Sequence, residues 1–157
     1  MDEAALIENL YLAEPLRASQ AERAYPLVSL LHPGLTPEEW RRFVRRATRF
    51  PKDRGGLMAI RDCRGYCHAV FSYRVGDELA SGRSLRVSDV VMGRLPGVTL
   101  PRALVACAER LAAELASATI SIDLQESMIA PQDCDALRRV GFDATGLILT
   151  RRLGARS

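Results

Sequence analysis

Lysine is nearly missing from this chain of 157 residues: Lys52 stands alone against 21 arginines. The planar fork of arginine suits carboxylates and phosphates, yet a compositional preference for arginine gives the same count. The net charge of +3 therefore names no partner. Long apolar runs are missing too. Nothing approaches the ~18 consecutive apolar residues that a membrane-spanning helix needs, and "MDEAALIENL" is acidic where a secretory leader is basic. A cytoplasmic protein with no membrane partner is the expectation. Cysteine is sparse, and Cys63, Cys67, Cys107 and Cys134 read as reduced thiols rather than a disulfide framework. Histidine occurs only as His32 and His68. "CRGYCH" brings Cys63, Cys67 and His68 together, but Cys67 and His68 point to opposite faces of a strand. The other ligand types, His32, Cys107 and Cys134, fall on helical segments, so no metal site is expected. Cys107 and Cys134 read as core residues on apolar stripes.

What is present fits one domain that buries a real core, with 48% apolar and 26% charged residues. Residues 1–10 read as an N-terminal extension and 11–157 as the domain. "YLAEPLRAS" opens it as a short strand, and Ser19 with Glu22 makes a capping box for a helix toward Leu31, interrupted by Pro26. A stronger start follows in "LTPEEW", where Thr36 caps, Pro37 takes the first helical position and Glu39 completes the box. This second helix is expected to reach about Phe50. Trp40, Phe43, Val44 and Ala47 form its apolar stripe, which leaves Arg41, Arg42, Arg45, Arg46 and Arg49 on the rest of its surface. A solvated face is the default reading of those arginines. Nucleic acid is disfavoured, because few aromatics accompany them, and an acidic partner stays open.

From Gly55 the period changes. "GLMAIRD", a turn at Cys63, Arg64 and Gly65, and "YCHAVFSYRV" read as a hairpin, with Cys67, Ala69, Phe71, Tyr73 and Val75 sharing a face. "LRVSDVVM" is the next strand. After "RLPGVTLPR" a helix runs from about Pro101 to Ala116 on Leu100, Ala103, Leu104, Cys107, Ala108, Leu111 and Leu115. "ATISIDL" is a strand, Pro131 starts a helix through Arg139 that Gly141 stops, and "TGLILTRRL" reads as a closing strand. The order β, α, α, β, β, β, α, β, α, β describes an α/β layer structure.

That order, with "VVMGRLPGVTLPRALVACAERLA" and "ALRRVGF" at its most specific points, resembles the GNAT family of acyl-CoA-dependent N-acyltransferases over residues 11–153. The resemblance implies a mixed central sheet of six to seven strands flanked by about four helices, and acetyl-CoA or CoA as cosubstrate. It places Val90, Val91 and Met92 along the pantetheine arm. Gly97, Val98, Thr99, Leu100 and Arg102 would face the pyrophosphate, since the first amides of a helix are unpaired and its dipole is positive there. It also implies an amine acceptor beside the first two helices, and a homodimer.

The chain departs from the family's pattern in its phosphate loop. Where the family has Arg or Gln, then a Gly, then a Gly or Ala, this sequence has Pro96, Thr99 and Pro101, and Pro101 lacks an amide proton. Arg94 and Arg102 flank the turn and offer side-chain contacts instead. Ala130 and Leu137 stand where the family often has an Asn and a proton-donating Tyr. Asp89, beside Ser88 on the strand that would pass the thioester, is the candidate catalytic base, directly or through water. Its alternative role is to satisfy a loop or edge amide. Three readings stay open: an N-acetyltransferase for an unknown amine, an inactive module using the arginine face for an anionic partner, or a domain that binds CoA as a regulator.

Overall fold

The computed structural model describes residues 10–94, 99–125, 131–146 and 148–154. Its elements are β1 (Tyr11–Pro15), a 3-10 turn (Ala18–Gln20), α1 (Ala21–Leu31), α2 (Pro37–Ala47), β2 (Gly55–Asp62), β3 (Cys67–Glu78), β4 (Gly82–Met92), α3 (Thr99–Glu114), β5 (Thr119–Ile122) and α4 (Pro131–Arg139). The strands make one sheet in the order β1-β2-β3-β4-β5. Pairing is antiparallel from β1 to β4, and β5 joins β4 in parallel after the α3 crossover. Among the described residues no helix is long and apolar enough to cross a membrane.

The expected six to seven strands are corrected to five among the described residues. Of "TGLILTRRL", the described residues belong to no strand, and Ile148, Leu149 and Leu153 stay 68%, 84% and 83% exposed. A segment of strand composition becomes a strand only where a sheet edge receives it, and the described part of this one pairs with none.

Local signals decide where the helices begin. At α2, Glu39 N donates to Thr36 Oγ1 at 3.2 Å and Thr36 N donates to Glu39 Oε2 at 2.9 Å, the reciprocal box that the sequence spells. The helix ends at Ala47, short of Phe50. At α1 the Ser19–Glu22 box does not form. Ser19 lies inside the 3-10 turn, whose Gln20 N donates to Arg17 O at 2.9 Å, and Gln20 takes the cap position instead. Pro26 is accommodated within α1, where Ala21, Ala24 and Val28 hold the buried face.

The hairpin carries a second correction. Ile60 faces Ala69 but Arg61 faces Cys67, so β3 spends an extra residue at His68. A bulge of this kind reverses the alternation beyond it. Cys67 consequently packs with Val70 on the α1/α2 side, while Ala69, Phe71, Tyr73 and Val75 face α3. Burial raises the pKa of the Cys67 thiol. In the turn, Asp62 Oδ1 accepts from Arg64 N and Tyr66 N at 2.9 and 3.0 Å, and Asp62 Oδ2 lies 2.8 Å from His68 Nε2.

Two apolar layers sandwich the sheet. Leu100, Ala103, Leu104, Cys107, Ala108 and Leu111 of α3 cover one face, as the periodicity predicts. Ala21, Ala24 and Val28 of α1 with Trp40 and Val44 of α2 cover the other, against Leu57, Ala59, Val70 and Val91. The two helices are tied by Trp40 Nε1, which donates to Ala21 O at 2.7 Å in the interior.

Trp40→Phe removes that bond and leaves the carbonyl its helical donor alone, and the expected loss is about 0.5–1.5 kcal/mol in urea unfolding. A loss below about 0.5 kcal/mol would show that the tie between the helices carries no weight. A second expectation concerns acid. The hydrogen bond with His68, and then the turn amides, hold the Asp62 carboxyl below its ordinary range. Its contribution is therefore complete above the unfolded value and is lost as pH falls through the folded one. Between about pH 6 and about pH 3 the wild type should lose more stability than Asp62→Asn, and parallel stability curves would refute the assignment.

Candidate functional site

β4 and β5 separate after Val87. Their parallel register runs from Ser84↔Thr119 to Val87↔Ile122, and the bond from Asp123 N to Val87 O at 2.8 Å closes it. β4 continues to Met92 without β5 beside it. A backbone edge left this way needs another hydrogen-bonding partner, whether water or ligand. A cleft of about 1970 Å³ opens there, with Ser88 to Val91 on one wall and Asp123 to Gln125 on the other. Trp40 and Phe43 of α2, stacked at 5.8 Å between ring centroids, line its helical side.

Within the open part of β4 lies a bulge. Val70 faces Val91 and Ser72 faces Ser88, so β4 uses three steps where β3 uses two, and Asp89 and Val90 have no register partner on β3. Asp89 takes φ 51°, the left-handed region, which Asp tolerates better than most residues. Ser72 secures it. This residue, 8% exposed, donates from Oγ to Asp89 Oδ2 at 2.8 Å and lies 3.0 Å from Ser88 Oγ. A hydroxyl has one proton, and the charge-assisted bond takes it. Ser88 is then the donor to Ser72, giving a short chain that ends on an exposed carboxylate at the cleft wall.

Val90 and Val91 line the cleft, whereas Met92 packs in the α3-side core beside Leu100. Leu100 is 2% exposed and packs in the core under α3, so its side chain does not face a ligand. Arg102 is half-buried in the first turn of α3, and Thr99 begins that helix. Gly97 and Val98 lie outside the described residues, as does Ala130. Leu137 lines the cleft and brings no proton there. Among the described residues no group of three or more His, Cys, Asp or Glu is placed to hold a metal ion.

Two expectations change. Cys134 is half-buried on the cleft rather than in the core. The helical period explains it: α4 buries Ala136, and a residue two positions away lies ~200° around the helix. Cys107, by contrast, is buried under α3, and desolvation raises its thiol pKa. The arginine face of α2 is also less uniform than a solvated face. Arg41 pairs with Glu22 at 2.9 Å, whereas Arg42 and Arg46 line the cleft.

Sequence reasoning missed Ser72. Its signal is a lone hydroxyl in the apolar run "AVFSY", on the side of β3 opposite Phe71.

Comparison of the sequence finds no matching family model and no matching curated protein. Comparison of the structure finds many. Glucosamine-6-phosphate N-acetyltransferase from Arabidopsis thaliana superposes with TM-score 0.68 at 14% identity, over 92% of this chain and 99% of that one. An aminoglycoside N-acetyltransferase in complex with CoA gives 0.69 at 13% identity, over 91% and 94%. A transcriptional regulator from Bacillus halodurans gives 0.74 at 13% identity, over 91% and 99%. The chain has the fold of the GNAT acetyltransferases, with divergent sequence.

The bulge makes a prediction of its own. Asn tolerates the left-handed region and still accepts from Ser72, so Asp89→Asn should keep its urea midpoint, within about 0.5 kcal/mol. Asp89→Val places a β-branched residue there and removes the acceptor, and should cost about 2 kcal/mol or more. Equal stability of the two variants would rule out a left-handed residue at this position.

Proposed function

We propose that this protein is an acyl-CoA-dependent N-acyltransferase that moves an acetyl group from acetyl-CoA to an amine. The separation of β4 from β5, with the Asp89 bulge inside it, carries the reading. A strand with a free edge can hydrogen-bond an extended amide chain as another strand would, and the pantetheine arm of CoA is such a chain. The cleft beside that edge gives a thioester and an amine room to meet. The fold shared with the CoA-complexed aminoglycoside N-acetyltransferase supports the same cosubstrate.

In this reading the β4 edge from Val90 to Met92 holds pantetheine by backbone, and the start of α3 faces the pyrophosphate. The amides of Thr99, Leu100 and Arg102 belong to the first turn, where helical amides lack partners, while Pro101 supplies none. Arg102 adds side-chain charge. The amine attacks the thioester carbonyl, and an amide freed by the bulge at Asp89 or Val90 steadies the oxygen that becomes negative. Asp89 takes the amine's proton, held in place by Ser72. The thiolate of CoA then departs. Thiols titrate near ~8.5, so this leaving group tolerates a site with Leu137 where a phenol would stand.

Calorimetric titration with acetyl-CoA should give micromolar binding. Arg102→Ala should weaken it about tenfold to a hundredfold, the worth of one charge-assisted contact. Asp89→Asn should bind acetyl-CoA as the wild type does and lose about a hundredfold or more in kcat. No heat up to millimolar acetyl-CoA would sink the proposal.

A further inference from the structure

Charges of both signs line the cleft, Glu39, Arg86, Glu109, Asp123, Arg138 and Asp143 among them, and Asp89 and the pair Arg42 and Arg46 stand on different elements of it. Asp89 stands on the β4 wall, exposed, with Ser72 as its donor. Arg42 and Arg46 stand on the α2 wall, exposed and four residues apart, which stacks them one helical turn from each other on one face. Their charge is not consumed locally. Arg41, next to Arg42 in sequence, turns away to Glu22. Glu39 is nearest on the same helix, but its carboxylate is engaged by Thr36. The Thr36 amide, then its hydroxyl, lower the Glu39 pKa, and Arg42 is the smallest contribution. Across the cleft, Asp123 already has Arg86 at 3.6 Å. Among the described residues neither Arg42 nor Arg46 forms an ion pair. Two adjacent guanidinium groups repel each other and invite an anion that bridges them.

We infer that the acceptor is an amine whose far end carries a carboxylate or phosphate, gripped by Arg42 and Arg46 while its ammonium end meets Asp89. The inference rests on the acyltransferase reading and adds the substrate class. Phe43, partly exposed on the same helix and stacked on the buried Trp40, gives the intervening carbon chain an apolar contact. The opposed charges orient the acceptor: a molecule entering reversed would set its ammonium against the arginines and its anion against Asp89.

Matched probes test this. Hexylamine and 6-aminohexanoate differ by a carboxylate, and ethanolamine and phosphoethanolamine by a phosphate. Each is titrated against the protein with and without CoA, and each is assayed with acetyl-CoA by release of free thiol. The anionic member of at least one pair should bind and turn over at least about tenfold better than its neutral partner. Arg42→Ala and Arg46→Ala should each raise its KM about tenfold with kcat nearly kept, while Arg46→Lys restores part of the loss. Neither substitution should move the Kd of acetyl-CoA.

Neutral amines that serve equally well, or arginine variants with unchanged KM, overturn the inference and leave acyl transfer standing. Failure of acetyl-CoA to bind removes the acyltransferase reading instead. Anion binding that persists in that case, and falls in the arginine variants, marks an anion site and overturns its assignment as an acceptor site.

Discussion

Parallel pairing between β4 and β5 stops at Val87↔Ile122 while β4 continues, and the site depends on that stop. Had β5 followed β4 to Met92, the backbone groups of Ser88 to Val91 would be spent inside the sheet. The cleft would be filled. A crossover helix must begin beyond the end of β4 and return the chain to its side, and α3 does this with a face of small and medium residues, Ala103, Leu104, Cys107, Ala108 and Leu111. That packing fixes the near end of β5 against β4. The far end, only four residues on, is free to leave.

The bulge turns an open edge into a chemical one. An uninterrupted β4 would keep Asp89 in the ladder with β3, where its amide would be committed. The extra residue releases it and turns the carboxylate toward the cleft. Such a backbone is strained for a non-glycine residue, and it persists because Ser72 holds the side chain from below. The same hydrogen bond that stabilises the strained residue also aims the candidate base. Structure and proposed chemistry share one contact.

Much of this was legible in the residues. The Thr36 box, the β2–β3 hairpin and the α3 stripe are local patterns, decided within a few positions, and they stand where the sequence puts them. What was illegible depends on partners far away. The bulge at His68, which moves Cys67 to the other face, is a mismatch between two strands and has no mark in either alone. "TGLILTRRL" has the composition of a strand, but a strand exists only if an edge receives it, and the described part of this segment finds none. Ser19 and Glu22 spell a capping box, and a competing 3-10 turn took the position. The cleft was not anticipated, since no periodicity reports where two strands diverge; the GNAT resemblance pointed only to Val90, Val91 and Met92 as the strand along a ligand.

Arginine composition illustrates the same limit from the other side. Counting 21 arginines favours no ligand, and the apolar stripe of α2 says only which side they are not on. Placement then separates them. Arg41 is neutralised by Glu22, whereas Arg42 and Arg46 share a wall with two stacked aromatic rings opposite a carboxylate on a bulged strand. Charges that neutralise one another lower the field of a surface, and charges held apart sustain one, screened by solvent where they are exposed. The proposed acceptor would be selected by its dipole as well as its shape. The groups it would meet stand on one turn of helix and on a strand with one extra residue.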